Sequence, residues 1–143
     1  MTKSTGIGIQ GNPTTDIENM FFLNGKKQHY HYDRINEVSK TILHYKKYCD
    51  SIGVEFIFLP LPNKESVYYE NVPFNYQPNY LFKLDSILTQ NGIYTLNTLK
   101  IFNDIRDSVL LYHIDDTHWN TNGVNIVADK LIEKARTHNI LYK

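Results

Sequence analysis

Ile52-Gly53-Val54-Glu55-Phe56-Ile57-Phe58-Leu59-Pro60-Leu61-Pro62 decides the fold class of this chain. Before it, Ile35, Val38, Ile42, Tyr45, Cys49 and Ile52 recur at helical spacing, which predicts an amphipathic helix of about five turns. Gly53 is placed to end that helix. Val54 to Leu61, an apolar run broken only by Glu55 and Pro60, then reads as a strand buried on both faces. A helix leading into such a strand is the unit of a parallel α/β sheet.

The pattern recurs downstream. Leu81, Leu84, Ile87 and Leu88 form a second helical stripe closed by Asn91-Gly92, and Ile93 to Leu96 is a short strand. Leu99, Phe102 and Ile105 predict a third helix, and Val109 to Tyr112 a third strand. Val124, Val127, Ala128, Leu131, Ile132 and Ala135 form the last helix. Lys130, Lys134 and Arg136 sit toward its C-terminal half, as the helix dipole favours. Met20 to Leu23 is either a short strand or a plug against the core, ended by the turn dipeptide Asn24-Gly25. Residues 1–19 read as an irregular segment and 20–143 as one domain.

The chain has 143 residues, 15 Lys+Arg against 15 Asp+Glu, and a formal net charge of zero. One hydrophobic core is feasible at this length. A neutral balance argues against a nucleic-acid partner bound by counterion release. Eleven tyrosines are present; they suit a core rim with wet hydroxyls better than a sugar-stacking surface. Cys49 is the single cysteine, so it forms no internal disulfide and reads as a small core residue. No run has the length and apolarity of a membrane span, and the first residues have no signal-peptide character.

Gly6-Ile7-Gly8-Ile9-Gln10-Gly11 fits a dinucleotide fingerprint, yet no strand can precede it and Pro13 follows it, so no nucleotide cofactor is expected. His113, Asp115, Asp116 and His118, and separately His29, His31 and Asp33, are ligand types without a spacing that specifies a metal, and no metal is expected. In open parallel sheets, ligands bind beyond the carboxyl ends of the strands. Three segments arrive there: Pro62 to Ser66, Asn97-Thr98, and His113 to Trp119. In the last, Asp116 and His118 lie two apart and share a side in an extended loop. Asp116 can then accept from the imidazole Nδ1–H and leave Nε2 as a base; Asp115 can do the same on a different backbone path. Trp119 would anchor the loop in the core, and Asn120 or Thr121 would cap the last helix.

Asp116-Thr117-His118-Trp119, followed by Gly123 and a helix, resembles the D-x-H-W signature of the alginate O-acetyltransferase-like family, part of the SGNH hydrolase-like superfamily. Phe56 to Tyr68 is similar to that family's strand ending in a P-x-K-x-x-x-Y element, with Pro62, Lys64 and Tyr68 in its positions. Phe21 to Gly25 looks like the aromatic-Gly segment that opens the domain. The resemblance covers residues 20–135. It implies a flavodoxin-like three-layer α/β/α fold with a mainly parallel sheet. It also implies a serine that carries acetyl from an ester donor to a polysaccharide hydroxyl outside the cytoplasm. Asp116 would orient His118, His118 would be the general base, and Lys64, Tyr68 and Trp119 would bind substrate or shape the site. The family's serine stands in a G-D-S element after the D-x-H-W block, and no G-D-S occurs here. Of Ser4, Ser39, Ser51, Ser66, Ser86 and Ser108, only Ser66 falls at the right sheet edge, without the sharp turn that activates a nucleophile. The expectation is therefore either the front portion of a longer enzyme or a shortened copy, catalytically silent alone. A non-catalytic carbohydrate-binding or scaffold module on the same fold is the alternative. A sheet lacking the serine strand would expose an unpaired edge, which tends to recruit another chain. Self-association or a partner is thus expected, and sedimentation at high concentration checks it: a monodisperse monomer would count against it.

Overall fold

The computed structural model describes residues 20–22, 31–72 and 76–137. A single turn of 3-10 helix, Tyr32–Arg34, leads into α1 (Ile35–Ser51). Gly53 adopts φ +71°, the left-handed conformation that lets the chain leave the helix and turn back. Strand β1 (Ile57–Phe58) follows, then the short helix α2 (Lys64–Val67), a 3-10 turn (Tyr69–Asn71) and α3 (Tyr80–Gln90). Gly92, at φ +74°, makes the equivalent exit from α3. Strand β2 (Tyr94–Thr95), α4 (Thr98–Ile105) and α5 (Thr121–Thr137) complete the order.

The two strands are parallel, with Ile57 opposite Tyr94 and Phe58 opposite Thr95. The carbonyl of Phe58 accepts from the Leu96 N–H at 3.0 Å, carrying the pairing one residue further. Alternation along the strands divides the interior into two clusters. Phe56, Phe58 and Ile93 join Ile42 of α1 and Leu84 and Leu88 of α3. Leu59 and Leu96 face the other way, into the larger cluster built from Val67, Tyr68, Leu99, Phe102, Leu110, Leu111, Tyr112 and Val127. Helices thus cover both faces of a small parallel sheet, as the sequence predicts for an α/β fold.

Several expectations need correction. The strand expected over Val54 to Leu61 is only two residues long, and Val54 and Leu61 are exposed. Their apolar character does not reflect burial on both faces. Val109 to Tyr112 does not join the parallel sheet. Leu110, Leu111 and Tyr112 are buried, and Tyr112 pairs antiparallel with Trp119 in an isolated bridge, so this segment is the first arm of a tight hairpin. On α1, Tyr45 and Ile52 are exposed and Cys49 is only half-buried; the inward face is carried by Ile35, Val38, Ser39 and Ile42. On α5 the buried line runs through Gly123, Val127, Leu131 and Ala135 at four-residue steps, leaving Val124, Ala128 and Ile132 outside. The reason is local. The N-terminus of α5 lies against the hairpin so closely that only glycine fits at 123. Met20 is buried in the larger cluster with Phe22 packed on it, and the Phe21 N–H donates to the Ile114 carbonyl at 2.6 Å, so this segment is a plug with one backbone bond. Leu23, Asn24-Gly25, the glycines at 6–11, His29 and Ser4 lie outside the described residues.

A Cβ built on Gly123 would stand 2.5 Å from the Leu111 carbonyl oxygen, a backbone atom that cannot yield cheaply. Gly123→Ala should therefore lose stability by roughly 1–2 kcal/mol despite the better helix propensity of alanine. Urea unfolding of the two proteins checks this, and an unchanged or raised midpoint would mean that the hairpin yields freely.

Candidate active site

The dyad loop is a hairpin whose arms are tied by the Tyr112–Trp119 bridge. The His113 N–H donates to the His118 carbonyl at 3.1 Å and the Asn120 N–H to the Leu111 carbonyl at 3.0 Å. Between the arms, Asp116 makes the turn. Its Oδ1 accepts from the Thr117 N–H at 2.5 Å and the His118 N–H at 3.3 Å, the local side-chain-to-backbone pattern by which aspartate stabilises turns. The same oxygen lies 2.8 Å from His118 Nδ1. Asp116 and His118 therefore meet, as the sequence predicts, but through a turn rather than an extended strand. Of the two carboxylates open to this role, Asp116 is the one paired with the ring.

The two halves of the pair differ in exposure. The Asp116 side chain is 16% exposed and the His118 side chain 82%. Burial pushes the Asp116 carboxyl upward; hydrogen bonds from the His118 ring and from the Thr117 and His118 N–H groups outweigh it and hold the pKa below the usual value. The result is an ionised carboxylate with a defined partner and an imidazole open to solvent. Such a carboxylate fixes the ring orientation and favours the tautomer with the proton on Nδ1, leaving Nε2 free to accept one.

Trp119 anchors the second arm. Its ring packs edge-on against Phe102 with centroids 5.0 Å apart, and its Nε1–H donates to the Tyr112 hydroxyl at 2.9 Å. That hydroxyl donates onward to the Pro62 carbonyl at 2.6 Å, joining the dyad hairpin to the loop after β1. Asn120, rather than Thr121, caps α5: its Oδ1 accepts from the Gly123 N–H at 3.0 Å. Its amide donates to the carbonyls of Leu110 and Tyr112, at 2.7 and 3.2 Å, so one buried side chain ties helix start to hairpin. The support given by Tyr112 is not readable from the chain. The only hint is an aromatic residue closing an apolar run just before His113.

Lys64 and Tyr68 are buried, at 1% exposure each. The Lys64 ammonium donates to four backbone carbonyls: His113 at 2.5 Å, Phe21 at 2.9 Å, Asp116 at 3.0 Å and Ile114 at 3.2 Å. The Phe22 ring lies 5.3 Å from it. Desolvation draws the Lys64 pKa down to about 8, against the upward pull of the Glu65, Asp116 and Asp115 carboxylates. The Tyr68 hydroxyl accepts from the Leu111 N–H at 3.1 Å, and burial raises its pKa. The polar groups of both residues hold hairpin backbone from beneath.

The other sheet-edge segments are also structural. The Thr98 hydroxyl donates to the Pro60 carbonyl, and Asn97 caps α4 by accepting from the Lys100 N–H at 3.0 Å. Ser66 is buried within α2, while Ser39 and Ser51 donate to carbonyls one helical turn back, of Asn36 and Tyr48. Among the described residues, no three His, Cys, Asp or Glu side chains are gathered to hold a metal ion, and no helix is long and apolar enough to cross a membrane.

The chain thus combines an α/β domain with an Asp116–His118 pair on a hairpin tied to the loop after β1. The family model for the SGNH hydrolase-like domain, acetyltransferase AlgX, matches residues 20–142, and the chain belongs to that family. No curated protein and no solved structure matches the chain.

Between pH 8 and about 10.5 the unfolded chain keeps the Lys64 proton while the folded chain releases it, so this group's contribution to stability rises with pH across that window. The Nζ nitrogen resonance of Lys64 should titrate near pH 8, well below the exposed lysines near pH 10.4. A midpoint among the exposed lysines would contradict the desolvated setting.

Proposed function

We propose that this domain supplies the acid–base half of a Ser-His-Asp acetyl-transfer site of the polysaccharide O-acetyltransferase or esterase type, acting on an acetyl ester outside the cytoplasm. The observation that supports it best is the Asp116 Oδ1 to His118 Nδ1 contact of 2.8 Å, which leaves the imidazole open to solvent on a braced loop. In such a reaction His118 Nε2 takes the proton of a serine hydroxyl as its oxygen attacks the acetyl carbonyl, then returns that proton to the departing alcohol. The acceptor hydroxyl repeats the sequence on the acetyl-serine. Its proton passes to His118 as it attacks, and the serine oxygen leaves and recovers a proton from His118. Asp116 stays ionised throughout, in keeping with its lowered pKa.

The nucleophile is the part these 143 residues do not offer. They contain no G-D-S, and Ser66, at the right edge of the sheet, is buried in a helix. The reading therefore places the serine outside this chain's 143 residues, and the chain alone as silent. The remaining site groups would contribute only background.

The gene beyond codon 143 and an acetyl-ester assay test this together. The 143-residue chain should show no turnover that His118→Ala abolishes. A reading frame that supplies a G-D-S should be active and should lose about 10³- to 10⁴-fold in kcat on His118→Ala or Asp116→Asn. Turnover by the short chain that depends on His118 would overturn the missing-nucleophile reading. No G-D-S, together with saturable quenching of the single tryptophan, Trp119, by oligosaccharide, would favour the carbohydrate-binding alternative.

A further inference from the structure

We propose that Lys64 is a positioning residue for the Asp116–His118 pair, acting as an internal ammonium that organises the dyad loop by gathering its backbone carbonyls. This rests on the dyad reading given above and extends it to a residue that touches neither substrate nor His118.

The geometry is unusual for a lysine. An ammonium has three hydrogens, and here they face four carbonyl oxygens at 2.5 to 3.2 Å, so at least one bond is shared. The acceptors come from two stretches far apart in the chain. Phe21 belongs to the N-terminal plug; His113, Ile114 and Asp116 belong to the hairpin. Three of the six residues from His113 to His118 thus have their carbonyls turned inward to one charge. The Asp116 carbonyl is among them, while the Asp116 side chain points to the turn and to the His118 ring. Holding that peptide group fixes the direction in which the carboxylate leaves the backbone.

Besides Lys64, the tip of the hairpin is held by the Asp116 carboxylate, which accepts from the Thr117 and His118 N–H groups, and by the Phe21 N–H on the Ile114 carbonyl. The hairpin's own described backbone pairs are those of Leu111 with Asn120 and His113 with His118, and residues 114–117 form no ladder. Without Lys64 the inward carbonyls of His113 and Asp116 would lose this donor, a costly change for backbone groups turned inward, while the Ile114 carbonyl would keep the Phe21 N–H. A guanidinium is no equivalent, because its planar fork cannot point at four converging oxygens. A neutral amine is no equivalent either, since it has two hydrogens and turns a lone pair toward the cage. The charged groups acting on the ammonium are Glu65 on its own helix and Asp115 and Asp116 on the hairpin.

The test reads the tautomer of the neutral His118 ring by nitrogen NMR on the 143-residue chain, with the methyl shifts of Leu84, Leu88 and Ile93 reporting the separate cluster between α1 and α3. In the natural protein the Nδ1–H form should dominate, and Asp116→Asn should abolish that bias. If the natural protein shows no bias, the dyad itself fails. Lys64→Met should shift His118 to a mixture of tautomers with the α1/α3 cluster shifts unchanged. Tyr68→Phe, which loosens the hairpin at Leu111 but leaves the cage whole, should keep the bias. Should Lys64→Met not fold, the natural protein is raised from pH 7.5 to 9.5. The His118 bias should then fade in step with the Lys64 Nζ titration while the α1/α3 cluster shifts stay constant. A bias that survives in folded Lys64→Met, or that persists after Nζ has lost its proton, overturns the proposal.

Discussion

One buried ammonium meeting four carbonyl oxygens ties this structure together. Lys64 sits at the start of a four-residue helix just beyond β1, and it reaches both the N-terminal plug and the dyad hairpin. An ion in that position is tolerable only because every hydrogen has an acceptor and three carboxylates stand near. The reverse also holds. The carbonyls of a six-residue turn can face the interior only because a multivalent donor waits there. Removing the ammonium would take this donor from the His113 and Asp116 carbonyls, and removing the carbonyls would strand the charge, which makes the interaction a constraint on this edge of the domain.

Other contacts extend the same device. Tyr68, one helical turn after Lys64, holds the Leu111 N–H. The Tyr112 hydroxyl links Trp119 to the Pro62 carbonyl. Arg106, at the end of α4, donates to the Val67 carbonyl, pairs with Glu70 and stacks over Tyr69, fastening the far side of the same segment. The P-x-K-x-x-x-Y stretch is thus a bracket under the dyad loop, with its Lys64 ammonium and Tyr68 hydroxyl both bonded to backbone. On the outer rim, His118 is exposed and Asp116 holds its ring.

This division suits acetyl transfer. A general base must be reachable by a nucleophile and yet keep one orientation, and an exposed imidazole on a free loop would not. Here the exposed group is supported from below by the buried Lys64 and Tyr68, both bonded to the hairpin backbone, so rigidity is supplied by the interior and access by the surface. Membership of the SGNH hydrolase-like AlgX acetyltransferase domain family fits that arrangement.

Much of this was legible in the chain itself. Helical stripes separated by glycines at 53 and 92 place α1 and α3, because side-chain period and the need for a left-handed exit are local properties. The D-x-H spacing marks the dyad for a similar reason: two residues in one turn are bound to be neighbours. Strand lengths, the identity of the hairpin at Val109 to Trp119 and the inward face of α5 were not legible. They depend on which segments meet across the fold, and apolar runs look alike whether they enter a sheet or a hairpin arm. Lys64 shows the difference most clearly. By sequence it is a charged residue in a loop, which physical chemistry places at the surface. Only the convergence of Phe21, His113, Ile114 and Asp116, up to 52 residues away, makes a buried ammonium tolerable there. The sequence by itself determined the main helices and the Asp116–His118 pair; the tertiary structure decided what holds that pair in place, because a cage of backbone carbonyls carries no side-chain signature.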